Sequence, residues 1–294
     1  MTPGETATEN HSSAKHSSSA VILLHGLTGT PAEMRAYAKK FELLGVHTVN
    51  PLLAGHGGSN NDLLAVTWKD WLNTVTTAVR LTQKDYKHVF IVGVSMSSLL
   101  AVLAAAEIPT VSGIVLLSPH YGPYARGTDW RKIFLPLLYK MPDWVHRWIY
   151  WEETPPYGMK DERLQRRIKA QLDRNSHGDG GEHGLFRTYV KYFYQLHQLQ
   201  NQIHQVAAKV HCPALVIHSV EDTVMDPMCG AMLYRDLGTT RKTLRIINDS
   251  DHVMMLDLRK LDVFQWIYQF IQTHTPEVTE FLNRANEQPQ SHTA

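Results

Sequence analysis

Short apolar runs alternate with stretches of helical spacing along most of this chain, and that alternation leaves few folds open. "AVILL" (20–24), "VHTVN" (46–50), "HVFIVGV" (88–94), "VSGIVLLS" (111–118), "ALVIHS" (214–219) and "TLRII" (243–247) each read as a strand. The most apolar of them are continuous rather than alternating, as expected of strands buried on both faces. Between them lie amphipathic segments. In "TPAEMRAYAKKFELLG", Thr30 can cap, Pro31 suits the first helical position, Glu33 completes a capping box and Gly45 stops the helix. "TWKDWLNTVTTAVRLTQK" places Trp68, Trp71 or Leu72, Val75 and Val79 on one side, and "MSSLLAVLAAAE" and "LDVFQWIYQFIQTH" supply two more helices. Strand–helix alternation of this kind predicts an α/β fold, a mostly parallel sheet covered by helices on both faces.

One segment breaks the rhythm. From about His120 to Gln205 no clear strand is legible, and the text turns to the aromatic-rich "WRKIFLPLLYKMPDWVHRWIYW", charged helical stretches and the polar loop "NSHGDGGEHG". This predicts a helical cap insertion (120–205) within a core formed by 20–119 and 206–275. Residues 1–19 read as a disordered polar leader without an apolar signal region, and 276–294 as a polar tail. No apolar run is long enough to span a membrane, so the expected location is the cytoplasm.

With 294 residues and 43% apolar content, a sizeable core is available. A net charge of +1 gives no electrostatic footprint for nucleic acid. Cys212 and Cys229 lack a C-x-x-C spacing, and the 17 histidines are scattered without ligand spacing. No cofactor and no metal are expected.

The chemistry concentrates around "IVGVSMSSLL" (91–100). A serine hydroxyl needs exposure, a base and oxyanion donors to act as a nucleophile. A sharp turn from a buried strand into a helix gives exposure and a helix N-terminus. Ser95 stands at such a turn, after Gly93, but Ser97 occupies the second position where a glycine would ease the close approach. The extra CH2OH is expected to cost roughly 1 kcal/mol of overpacking. A serine that merely begins a helix has the same local pattern, so the rest of the chain must decide.

Three further pieces follow in order. After the first strand, "LLHGLTG" can bring the N–H of Leu27 beside that of Met96 as an oxyanion hole, each such donor being worth on the order of 3 kcal/mol in the transition state. After "ALVIHS", the loop "HSVEDTVMDP" offers several acids; Asp222 has the position for orienting a base, Asp226 looks like the cap of the next helix, and Glu221 faces solvent. Asp249 and Asp251 are downstream competitors. After "TLRII", "NDSDHVMMLD" offers His252. His25 and His56 lie before the serine and are assigned to ordering their own loops.

The motifs "LLHGLTGTPAEMR", "PLLAGHGG", "IVGVSMSSLL", "EDTVMDP" and "DSDHVMMLD" together resemble the α/β-hydrolase superfamily, and within it bacterial carboxylesterases and monoacylglycerol lipases. The resemblance spans about Ala20 to His274 and is weakest in 120–205. It implies an α/β-hydrolase fold and a serine esterase without cofactor. Ser95 would be nucleophile, His252 base and Asp222 its orienting acid, with Leu27 and Met96 as oxyanion donors and the insertion as a cap carrying the acyl or alcohol pocket. Ser97 departs from the family's usual glycine.

The aromatics of 130–151 pack the cap onto the sheet, line an apolar acyl pocket, or, with Lys132, Lys140 and Arg147, touch a membrane surface. A small hydrophobic acyl ester is the expected substrate. The rival readings are a thioesterase or lactonase with the same triad, and a non-catalytic binding protein on the same fold.

Overall fold

The computed structural model describes residues 18–125, 130–174, 184–185 and 187–275. The expected leader lies outside them save for its last residues, and Ser19 already belongs to the first strand; the expected tail, 276–294, lies wholly outside them.

All six expected strands form and join one six-stranded sheet. They are β1 (Ser19–Leu24), β2 (His47–Val49), β3 (His88–Val94), β4 (Gly113–Leu117), β7 (Ala214–Ser219) and β8 (Lys242–Ile247), in the spatial order β2-β1-β3-β4-β7-β8. Every pairing is parallel. Alternate residues of the central strands feed two separate cores. Ile22, Leu24, Val89 and Ile91 pack under one helical layer; Val21, Leu23, Phe90 and Val92 pack under the other. That two-sided demand is why these runs are apolar without alternation.

The helices are α1 (Arg35–Leu43), α2 (Asn60–Ala65), α3 (Trp68–Thr82), α4 (Met96–Glu107), α5 (Leu135–Leu138), α6 (Asp143–His146), α7 (Glu162–Arg174), α8 (Val190–Val206), α9 (Met228–Asp236) and α10 (Lys260–Thr273). Helix α4 is buried from Met96 to Ala105. It is apolar all round because it lies between the sheet and two other helices, α3 and α8. Tyr192, Leu196, Leu199 and Ile203 of α8 enter that same core, so the last helix expected in the insertion seats directly on the nucleus of the fold.

The insertion corrects one expectation. It contains two strands, β5 (Tyr150–Glu152) and β6 (Arg187–Tyr189), paired antiparallel as a ribbon separate from the main sheet. Each has three residues, too short for a period of two to show, and the pairing is stabilised across the strands by Tyr150 against Tyr189 and Glu152 against Arg187.

A second correction concerns Glu33. Thr30 does cap the 3-10 turn Pro31–Met34, its side chain accepting from Ala32 N–H at 3.3 Å. The reciprocal half of the capping box is absent, because the Glu33 carboxyl turns away and accepts from Gly26 N–H at 3.0 Å.

Candidate active site

The sheet order reverses direction between β1 and β3: the chain leaves β1 toward β2 on one side and leaves β3 toward β4 on the other. Loops diverging at such a point open a crevice at the strand C-termini. The segment after β1 is the His25–Gly29 turn, and the residue after β3 is Ser95.

Ser95 has φ 53° and ψ −115°, a conformation that a residue with a Cβ adopts only under constraint. The constraint comes from three backbone bonds. Ser95 N–H donates to Leu117 O at 2.8 Å, and Ser95 O accepts from Ser98 N–H and His120 N–H at 3.2 and 3.3 Å. The side chain is half-buried and makes no hydrogen bond among the described residues. Gly93 is required two residues earlier, since a Cβ there would stand 2.3 Å from Ser97 O.

Ser97 has bonds to set against the expected overpacking. Its hydroxyl is fully buried and fully used, accepting from Val94 N–H at 2.8 Å and lying 2.9 and 3.1 Å from the carbonyls of Val94 and Leu24. Its contact with Leu24 ties the end of β1 to the turn at Ser95. Ser97→Gly should therefore destabilise the fold by about 2 kcal/mol, combining a helical glycine with an unpaired Val94 N–H. Urea unfolding measures it, and a gain in stability would restore the overpacking account.

Asp222 and His252 lie side by side. His252 Nδ1 lies 2.8 Å from Asp222 Oδ2, both side chains buried. Asp222 Oδ1 accepts from Val224 and Met225 N–H at 2.9 and 2.8 Å, which fixes the plane of the carboxylate. Burial alone would raise the Asp222 pKa, but the charge of His252 and contacts with two rings hold it well below the usual carboxylate range. Burial would lower His252; the Asp222 charge and hydrogen bond outweigh that and hold it above its ordinary value.

The competing acids have other partners. Asp226 Oδ1 caps α9 at Met228 N–H, and exposed Glu221 pairs with Lys160. Asp251 accepts from Thr223 N–H at 2.8 Å and from His252 N–H at 2.7 Å. It fastens the histidine loop to the Asp222 loop instead of orienting the ring. The competing histidines stay neutral. His25, lowered by burial to about 3, places Nδ1 2.9 Å from Gly26 O and accepts from Leu53 N–H; His56 is lowered by burial to about 4. Burial pushes Cys212 up to about 11 and Cys229 up to about 12, so neither supplies a thiolate.

Leu27 is half-buried in the turn after β1, and Met96 opens α4, where the first N–H groups have no intrahelical acceptor. Two residues went unread in the sequence. His120, in "LSPHYG" after β4, is lowered by burial to about 3 and lies within electrostatic reach of His252. His218, inside β7, brings Nε2 to 3.1 Å from Asp222 Oδ2, off the line of a well-formed hydrogen bond. A polar residue in an otherwise apolar strand was the signal available for His218.

A separate groove of about 630 Å³, lined by His88, Ser112, His211, Arg241 and His274 among others, opens at the opposite, N-terminal ends of the strands. Of the residues above, Cys212 lines it, and Ser95, Asp222 and His252 do not. Among the described residues no group of His, Cys, Asp and Glu could hold a metal ion, and no helix is long and apolar enough to cross a membrane.

A family model described as "Serine aminopeptidase, S33", a hydrolase family, matches residues 15–259. The thermostable monoacylglycerol lipase of Bacillus sp. (strain H-257) is 26% identical over 263 residues, covering 86% of this chain and 90% of that protein. A solved structure from a study of the metagenome-derived lipolytic enzymes LipS and LipT superposes with a TM-score of 0.71 at 26% identity, covering 88% of this chain and 95% of that one. A soluble variant of the monoglyceride lipase from Saccharomyces cerevisiae, in complex with a substrate analog, gives a TM-score of 0.73 at 16% identity, covering 90% and 89%. The last likeness is one of fold.

Proposed function

Since the chain belongs to the serine aminopeptidase, S33, family of α/β-hydrolase enzymes, we propose that it is a serine carboxylic-ester hydrolase acting on hydrophobic acyl esters. Ser95 is the nucleophile, His252 the base and Asp222 its orienting acid. The observation that carries this reading is the buried His252–Asp222 pair at the same sheet edge as a serine held at φ 53°. Asp222 keeps the proton on Nδ1, so Nε2 can take the Ser95 proton as Oγ attacks the ester carbonyl. The N–H groups of Leu27 and Met96 receive the oxyanion. The alcohol leaves with the proton from His252, and water then hydrolyses the acyl-enzyme by the same route. The relative named monoacylglycerol lipase favours an ester over a peptide bond.

The segment 120–205 serves in this reading as a cap over the crevice. Its inner side carries an apolar cluster of Leu135, Trp151, Val190 and Phe193, with Tyr124 packed against it, which suits an acyl chain. Its outer side exposes Ile133, Phe134, Leu137, Met141, Trp144 and Trp148 beside Lys140 and Arg147. That combination suits contact with a lipid aggregate. A cytoplasmic location is supported by two cysteines that are both free.

The test is fluorophosphonate labelling of wild type and Ser95→Ala, followed by p-nitrophenyl esters of rising chain length assayed below and above their aggregation point. Labelling confined to wild type, with turnover rising with chain length and again on aggregation, is the expected result. Well-folded wild type that does not label would favour a binding protein. Preference for thioesters or lactones over oxoesters would move the assignment to those classes.

A further inference from the structure

Glu33 is the acid that the hydrolytic scheme leaves without a role. Its carboxyl reaches back from the Pro31–Met34 turn into the loop after β1. Oε2 accepts from Gly26 N–H at 3.0 Å, and Oε1 fills the space beside Gly29, where a Cβ would stand 2.0 Å from it. That loop needs holding. Thr28 lies at φ 64°, a strained conformation for a β-branched residue. Leu185 N–H binds Thr28 O at 2.8 Å and His25 Nδ1 lies 2.9 Å from Gly26 O. These grip the carbonyls, whereas Glu33 grips the N–H side of the turn. Leu27 stands between the two held residues.

We propose that, within the ester-hydrolase reading, Glu33 is a positioning residue of the oxyanion turn: its carboxyl holds Gly26–Gly29 so that Leu27 N–H faces the reacting carbonyl. A carboxylate behind the turn would oppose the negative charge developing on the substrate oxygen. Burial pushes the Glu33 pKa up to about 7, against the pull of the Gly26 N–H; Glu153 raises it further and His252 lowers it. Glu153 is exposed by surface area yet ringed by enough protein that desolvation raises its pKa too, with Lys132 opposing. Glu33 therefore exchanges its proton across the range in which a histidine base works. Below that pKa it is neutral and the hole is unopposed; above it the charge is present and the rate falls.

The experiment measures kcat and KM for a p-nitrophenyl ester, and the fluorophosphonate labelling rate, from about pH 5.5 to about pH 9. The proteins are wild type, Glu33→Gln, Glu33→Leu and Gly29→Ala, each with its melting temperature. Glutamine keeps an acceptor but cannot ionise. Its kcat should match wild type within about twofold at the acid end and exceed it about fivefold at the alkaline end. Leucine removes the acceptor and should lower kcat about 30-fold with KM within about twofold. Gly29→Ala should act in the same direction, because the added methyl displaces only the mobile end of a side chain. The proposal is overturned by a leucine variant with wild-type kcat, by a loss confined to KM or melting temperature, or by a glutamine profile superimposing on wild type at every pH. Wild type that fails to label overturns the hydrolase reading; labelled wild type with three wild-type-like variants overturns Glu33 alone.

Discussion

Ser95→Gly should abolish ester turnover and raise the melting temperature at the same time. Deleting the nucleophile of a serine triad lowers kcat by about a million-fold. The stability gain has a separate cause. Ser95 carries a Cβ at φ 53° and is held there by bonds to Leu117, Ser98 and His120. Strain of this kind costs about 1–3 kcal/mol, and glycine removes it while adding entropy to the unfolded chain. The net expectation is about 1 kcal/mol of stabilisation, roughly 2 °C in melting temperature. Ser95→Ala separates the two effects: it loses the same activity but keeps the Cβ, so its stability should not rise. Calorimetry on the three proteins with a single-turnover assay decides both points. Residual turnover near wild type in either variant would remove Ser95 as nucleophile. Destabilisation by glycine would mean that the turn is not strained.

Asp222→Asn should lower kcat by about 10⁴-fold while leaving the fold intact. The size follows from which atom the amide would place where. Val224 and Met225 N–H both point at Oδ1 and demand an oxygen there. The asparagine NH2 must then occupy the Oδ2 position, 2.8 Å from His252 Nδ1 and 3.1 Å from His218 Nε2. A donor facing Nδ1 forces the histidine proton onto Nε2, and the nitrogen that should accept from Ser95 becomes a donor instead. The pH profile should move as well. Asp222 holds His252 above its ordinary pKa, against the effect of burial. Because catalysis needs the neutral ring, the acid limb of the wild-type profile lies above that ordinary value. In the asparagine variant the residual activity should persist to lower pH. Nitrogen NMR of the imidazole reads the tautomer directly. An unchanged tautomer with unchanged kcat would assign the orienting role elsewhere, with Asp251 the nearest alternative through its bond to His252 N–H.

The four central strands of the main sheet were legible because each is a contiguous run buried on both faces and therefore mostly apolar, whereas the two edge strands, β2 and β8, are partly exposed and were read from shorter β-branched stretches. The order of Ser95, Asp222 and His252 was legible for a related reason: each follows its own strand, and a parallel sheet brings all strand C-termini to one edge. The Thr30 cap and the Asp226 cap involve neighbours two residues away, which a linear reading can see. The ribbon of β5 and β6 could not be read, because a three-residue strand has no resolvable period and its partner lies 35 or more residues distant.

Local chemistry along the chain thus determined the fold class, the serine turn and the candidate acid and base. Only the tertiary structure decided what three ambiguous polar residues do. Ser97 departs from the expected glycine, but its hydroxyl finds the Leu24 carbonyl, 73 residues earlier. Glu33 fits a capping box by spacing, yet the Gly26 N–H competes for its carboxyl and wins. His218 lies within an apolar strand and meets Asp222 only because β7 and the loop after it fold the two side chains together. For Ser97 and Glu33 the side chain has several partners within reach, and the one it takes is a backbone group that the fold brings beside it; His218 instead shares a carboxylate oxygen that His252 already holds.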